Sequence, residues 1–404
     1  MKTQWTKLRL LALAGSISWM GSTLTTFTVV LQYKEEFGPS GVSAIMLSMI
    51  LPTILVAPYA GVLADRISSG ILIPVMLSLM GLSTFMLSLE LGFFWSLFFL
   101  AITAICGTPV GAAFSATLPN YATPEDLPRV TGLMQTGSSL GAMLGPGLAG
   151  VLVSTTDSFV WPFRIDSASF FVLAFAIIAL RISRKPQPRA KEDKVRALDG
   201  VRVIMQNSLV RSLVILITTV IFAISVINIG EIFLVMDELG ANAITYGLVT
   251  STFALGSVLG AVTTSIIKVP EKRHAIIAIT ALSVLAVIVV GLAFAWHWAV
   301  VAVAWFIAGV FNAGLNAYGI SLIMNRTPQE TRGRVMASVQ ALFATASVTG
   351  MGIAGILIAA FEIRPVLAVA GVLCCLFVVL LAPAVVRANR QHIGKPQEDA
   401  ALVD

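Results

Sequence analysis

Of 404 residues, 57% are hydrophobic and only 11% are charged, against roughly 25% charged in an ordinary soluble chain. That composition excludes a large soluble domain and points to an integral membrane protein, since each helix crossing a hydrocarbon core about 30 Å thick uses about 20 apolar residues. The net charge of +6 gains its meaning from where the charges fall along the chain.

The first apolar run, Leu8 to about Gln32, follows Lys2, Lys7 and Arg9. Its basic start is like that of a signal peptide, but its apolar stretch is too long for one, so it reads as a retained first helix. Further runs occupy 41–64, 71–90, 93–116, 129–154, 160–182, 211–236, 244–267, 274–297, 299–325, 333–360 and 364–386. The reading is an all-α membrane protein of twelve spans. With both termini inside, 23 of the 26 lysines and arginines fall on the cytoplasmic side and only Lys34, Arg164 and Arg364 lie outside. This is the bias that orients membrane proteins, so the positive charge is topological and no nucleic-acid partner is expected. Trp95, Trp161, Trp296 and Trp298 fall at outer ends, where amphipathic rings anchor. The expected location is a bacterial inner membrane.

A polar stretch from Arg181 through Arg202 divides six spans from six. The expected organisation is an N-terminal bundle over 1–182, a cytoplasmic linker over 183–206, a C-terminal bundle over 207–388 and a cytoplasmic tail over 389–404. An offset of 205 residues aligns Gln135 with Gln340 and Gly145-Pro146-Gly147-Leu148-Ala149-Gly150 with Gly350-Met351-Gly352-Ile353-Ala354-Gly355. The halves are therefore parallel repeats, an architecture of secondary transporters whose substrate site lies near the midplane between them.

These residues resemble the major facilitator superfamily over nearly the whole chain. Gly61-Val62-Leu63-Ala64-Asp65-Arg66 is similar to the opening of that family's loop motif, and the resemblance makes Gly61, Asp65 and Arg66 a cytoplasmic gate. Ser68-Ser69-Gly70 stands where family members carry further basic residues. On the fifth span, Gly132, Gly141, Gly145, Pro146 and Gly150 reproduce the spacing of the family's antiporter motif, with Ala149 replacing one glycine. Small residues on one face let helix backbones approach closely in lipid. The segments 161–170 and 327–335 resemble the exporter branch that includes macrolide-efflux and enterobactin-export proteins. A family arginine tied to proton coupling would stand at Thr103, which leaves the coupling mechanism open.

The resemblance places the first and fourth helices of each half around the cavity. On them Trp19, Ser22, Thr26, Thr103, Asn228, Asn312, Asn316 and Tyr318 are cavity candidates. A charge facing lipid costs about 2.5 to 3.5 kcal/mol on insertion scales, so carboxylates inside spans stand out. Glu231 is the clearest, in the outer third of the seventh span, and Asp166 near the start of the sixth is the reserve. Two readings are open for each: for Glu231 a proton or cation site or a structural carboxylate bonded to a neighbouring helix, and for Asp166 a functional site or, the reading preferred, a structural group that caps its helix or pairs with an arginine. Trp19 and Trp305 lie deeper than the interface belt, as a stacking wall or as packing.

His274, His297 and His392 are scattered, and the three cysteines, Cys106, Cys374 and Cys375, lack metal-ligand spacing. No metal, cofactor or phosphate-binding loop is expected, and no enzymatic constellation is present. The expected function is a monomeric secondary transporter that exports a small amphipathic compound by alternating access in exchange for protons. The alternatives are a lipid or lysolipid translocator of the same fold and, from another class, a nontransporting membrane receptor.

Overall fold

A computed structural model describes residues 3–186, 197–267, 269–270, 273–327 and 331–393. Every regular element among them is helical. The first, α1 (Trp5–Arg66), runs for 62 residues, about 93 Å at 1.5 Å per residue and three times the thickness of a bilayer core. It breaks at Gly38, whose φ of 59° and ψ of −157° suit a residue without a side chain. Pro39 then opens the second arm, its missing N–H being no loss at a helix start. The remaining helices of the first half are α2 (Ser69–Leu87), α3 (Phe93–Thr117), α4 (Leu127–Thr156) and α5 (Val160–Ala179).

The second half holds α6 (Ala197–Gln206), α7 (Ser208–Ile232), α8 (Ala243–Ile266), α9 (His274–Leu292), α10 (Trp298–Gly314), α11 (Ile320–Asn325), α12 (Arg332–Phe361) and α13 (Ile363–Ile393). Two helices widen into π turns, Phe233–Glu238 after α7 and Leu315–Gly319 between α10 and α11. Side-chain caps start α7 and α8: Asn207 Oδ1 accepts from the Leu209 and Val210 amides at 3.1 and 3.2 Å, and Asn242 Oδ1 from the Thr245 amide at 2.9 Å. Among the described residues eleven helices are long and apolar enough to cross a membrane, and the break in α1 makes twelve crossings. The start of α1 and the end of α13 therefore lie at one end, which is rich in arginine and lysine. The opposite end carries Glu35, Glu36, Glu90, Asp157, Asp237, Glu238 and Glu362. These are called the basic and acidic ends below.

The expected linker is not wholly irregular, because α6 lies within it and packs on α7 and α12. Its first residues are strapped to the N-terminal half. The Arg184 amide donates to Ser69 Oγ at 2.7 Å, the Ser183 amide to the Tyr121 hydroxyl at 2.8 Å, and the Arg184 guanidinium pairs with Asp65 at 3.3 Å. Residues 187–196, with Arg189, Lys191, Lys194 and Arg196, lie outside the described residues.

The repeat seen in sequence is a repeat of packing. On α4, a Cβ at Gly141 would come within 2.7 Å of the Met20 amide nitrogen, and Gly145 lies against Thr23, both on the first arm of α1. Farther along, Gly150 meets Ala243, and the Pro146 carbonyl meets Gly247, both on α8 of the other half. On α12 the equivalent Gly350 lies against Phe222 and Ser225 of α7, and Gly355 against Pro39 and Ser43 of the second arm of α1. Each fifth helix thus packs on its own first helix and then on the opposite half.

The contacts between halves gather at the acidic end. Ser43 Oγ donates to the Met351 carbonyl at 2.8 Å, Phe27 stacks on Tyr246 with ring centroids 4.7 Å apart, and the Lys34 ammonium pairs with Asp237. The apolar core repeats this division. One cluster joins Leu24 to Ile45 of α1 with the C-terminal half, while a second, around Leu8, Ile73 and Val130, belongs to the basic end of the N-terminal half. Toward the basic end the facing surfaces stand apart, with Leu55, Tyr59 and Val62 on α1 and Leu255, Leu259 and Val262 on α8 exposed. The molecule is closed at the acidic end and open at the basic end.

Candidate functional site

Directly beneath the closure, a cavity of about 320 Å³ lies between the halves. Its wall is built from Thr26 and Phe27 of α1, Pro146 of α4, Asn228 and Glu231 of α7, and Tyr246 and Thr250 of α8. The turn ending α7 continues to Glu238, seven residues beyond Glu231, so the carboxylate sits about 10 Å below the acidic end. Asn228 and Glu231 are three apart on α7 and share its face.

Glu231 is 7% exposed. Its Oε1 accepts two hydrogen bonds, from the Trp305 indole N–H at 2.8 Å and from the Thr250 hydroxyl at 3.1 Å. Trp305 is itself held edge-on by Phe253, 5.6 Å between centroids. Both donors serve one oxygen, and no described residue donates to Oε2. A proton placed on Oε2 leaves both bonds to Oε1 in place, so the group can load and unload without dismantling its support.

Asp166 has a different setting. It is 1% exposed between α5 and α1, with Oδ2 accepting from the Thr25 hydroxyl at 2.6 Å and Oδ1 from Ser169 at 3.3 Å. Gly21 exists there because any Cβ would collide with Asp166 and Ser169. Asp166 lines neither this cavity nor the two lobes described next.

Toward the basic end, each half carries a lobe of its own. The lobe of the N-terminal half, about 540 Å³, takes in Trp19, Ser22 and Gln135; that of the C-terminal half, about 130 Å³, takes in Asn312, Asn316 and Gln340. The glutamines paired by the 205-residue repeat thus occupy matching positions in the two halves.

Two cavity candidates lie elsewhere. The Thr103 hydroxyl donates along its own helix to the Phe99 carbonyl at 3.0 Å and faces none of these spaces. Tyr318 donates to the Ile267 carbonyl at 3.2 Å and lies against His274, so it braces the α8–α9 turn. Of the packing motif, Gly132 is exposed and a Cβ there would meet nothing, because it precedes the contact with α1. Gly137, which sequence spacing passed over, instead lies against Ser16 and the Ala12 carbonyl. In the gate segment, Asp65 pairs with Arg184 of its own half, Arg66 borders a small recess with Tyr59 and Pro109, and a Cβ at Gly61 would meet open space.

Thr250, Tyr246 and Phe27 escaped the sequence reading. Thr250 and Tyr246 belong to the eighth span, not to the four helices expected around the cavity. A polar residue one turn from a tyrosine, Tyr246 to Thr250, was the available signal.

The profile of the Major Facilitator Superfamily matches residues 11–236 and 213–404. Multidrug resistance protein MdtG of Enterobacter lignolyticus (strain SCF1) is 30% identical over 260 residues, 59% of this chain and 59% of the relative. The MdtG protein of Escherichia coli O6:K15:H31 is 29% identical over 270 residues, 61% of this chain and 63% of the relative. The similarity thus spans about three fifths of these relatives' length. Among solved structures, a mutant of the nucleoside transporter NupG superposes with TM-score 0.75 at 12% identity, covering 95% of this chain and 99% of that one. A bacterial homolog of the human lysosomal transporter Spinster, inward-facing and unoccupied, superposes with TM-score 0.64 at 16% identity, covering 96% of each. At these identities the likeness is one of fold.

Proposed function

The chain belongs to the Major Facilitator Superfamily, and on that premise we propose that it is a proton-coupled exporter of small amphipathic compounds in a bacterial inner membrane. The observation that carries the reading is Glu231, a buried carboxylate with one oxygen tied to Trp305 and Thr250 and the other without a donor among the described residues, in a cavity between the halves. The excess of arginine and lysine at the basic end supports a cytoplasmic placement of that end. The conformation described is then open to the cytoplasm.

In this cycle the carboxylate takes a proton when the cavity faces outward and gives it up when the cavity faces the cytoplasm, and the closure alternates between the acidic and basic ends. A unit charge crossing 100 mV is worth about 2.3 kcal/mol, roughly a fifty-fold bias on the exchange. Export as the direction is supported by the naming of the MdtG relatives as multidrug resistance proteins.

The test is uptake into inverted membrane vesicles energised by acidifying the lumen, across a panel of dyes, macrolides, siderophores and lysolipids. Accumulation of one or more dyes or drugs, collapsing with a protonophore, is the expected result. Accumulation of lysolipid alone would place the protein among lipid translocators, and facilitated flux that ignores the proton gradient would remove the coupling.

A further inference from the structure

The lobe of the N-terminal half has a chemistry of its own. None of the side chains around its roughly 540 Å³ is ionisable, and its size falls within the roughly 300 to 1,000 Å³ typical of small-molecule sites, whereas the C-terminal lobe at about 130 Å³ does not. Phe114 and Phe170 give it aromatic walls. Trp19 is 53% exposed, and neither its indole N–H nor the Gln135 amide is hydrogen-bonded to a described protein group. The space itself comes from Gly15 on α1 and Gly111 on α3, where an added Cβ would meet nothing within 4 Å. Aromatic walls with a few directed polar groups and no charge suit an uncharged ligand, because a cation there would lose its hydration without gaining a carboxylate.

We propose that this lobe is the substrate site, that it takes an uncharged, largely aromatic molecule with a hydrogen-bond-accepting oxygen for Trp19 and Gln135, and that it is separate from the proton site. The lobe and the Glu231 cavity share no lining residue. They do occupy consecutive turns of one helix, with Trp19 and Ser22 in the lobe and Thr23 and Thr26 in the cavity. Substrate and proton therefore do not compete for a place and communicate through the first arm of α1. This inference rests on the exporter reading above for its cycle, but its binding site can be tested apart from coupling.

The experiment measures binding of Nile red, an uncharged aromatic dye with a carbonyl acceptor, to the protein in lipid nanodiscs, over the baseline of empty nanodiscs. Wild type binds saturably. Gly111→Leu and Gly15→Leu, each growing into open space, weaken binding at least tenfold while keeping the wild-type Tm, and Trp19→Phe weakens it severalfold. Glu231→Gln, which stops proton-coupled flux on the reading above, keeps dye affinity within twofold, and tetraphenylphosphonium, a permanent cation, does not displace the dye. No saturable binding, wild-type affinity in both filled variants, loss of binding in Glu231→Gln, or displacement by the cation would each overturn the proposal. Failure of the coupling reading shows separately, as pH-gradient-driven flux that survives in Glu231→Gln.

Discussion

Among the described residues two carboxylates, Asp166 and Glu231, are buried inside the spans, and their surroundings differ. Asp166 gives both oxygens to hydroxyls of its own half, Thr25 and Ser169, so it ties α5 to α1. Asp166→Ala removes the acceptor of the buried Thr25 hydroxyl and leaves that hydroxyl unmatched, at a cost of about 1 to 3 kcal/mol. The expected outcome is a lower Tm, read in detergent, with flux per folded molecule within twofold of wild type. An unchanged Tm with flux abolished would move the coupling role to Asp166. The sequence made Glu231 legible because a carboxylate deep in an apolar run stands out by cost alone. Its supporting donors were not legible in the same way: Thr250 reaches it from another helix, and no periodicity within one helix states which neighbour it faces. Trp305 was visible as a deep tryptophan, but whether it stacked, packed or donated depended on that same missing neighbour.

At the scale of the helix, glycine spacing carries the architecture. The family-like pattern on α4 and its copy on α12 foretold close approach, and the structure divides the pattern by partner: Gly141 and Gly145 against α1, Gly150 against α8. Spacing could not separate Gly132, which precedes the contact, from Gly137, which makes it, since both are small residues in one helix. The division leads to a prediction. Gly150→Ala puts a methyl group into the Ala243 backbone and loosens the acidic-end closure, whereas Gly132→Ala adds one to open space. In a background with Cys106, Cys374 and Cys375 replaced, a cysteine at Thr26 should react faster with an impermeant thiol reagent from the acidic side when Gly150→Ala is present. Gly132→Ala should leave the rate unchanged. Equal rates in all three would mean that this contact does not hold the closure. The break in α1 was equally legible, as the gap between the apolar runs Leu8 to about Gln32 and 41–64, and so were the twelve spans. The helix within the linker was not, because ten residues of mixed character between basic stretches read as loop.

Across the whole molecule, the halves are joined at one end and apart at the other, and an ion pair crosses the joint. Lys34 is 6% exposed on the first half and Asp237 is 52% exposed on the second. Solvent at Asp237 screens the pair, so its contribution is on the order of 1 kcal/mol, enough to shift a two-state population about five-fold. Asp237→Asn should therefore raise labelling of the Thr26 cysteine from the acidic side by a few-fold, and exchanging the two residues, Lys34→Asp with Asp237→Lys, should bring it back. Labelling that ignores both changes would make the pair incidental. No sequence reading could have joined residues 203 apart across two bundles, because charge placement reports sidedness and not partners.

The central claim is that Glu231 carries the exchanged proton, and substrate-induced proton movement tests it most directly. Wild type and Glu231→Gln are reconstituted into proteoliposomes with a pH-sensitive dye trapped in the lumen, and a transported compound is added outside. The account predicts a pH change in wild type that is abolished by a protonophore. It predicts none in Glu231→Gln, which still exchanges the compound downhill because glutamine keeps an oxygen for Trp305 and Thr250. Proton movement in Glu231→Gln at the wild-type rate would contradict the account and leave Glu231 a structural carboxylate.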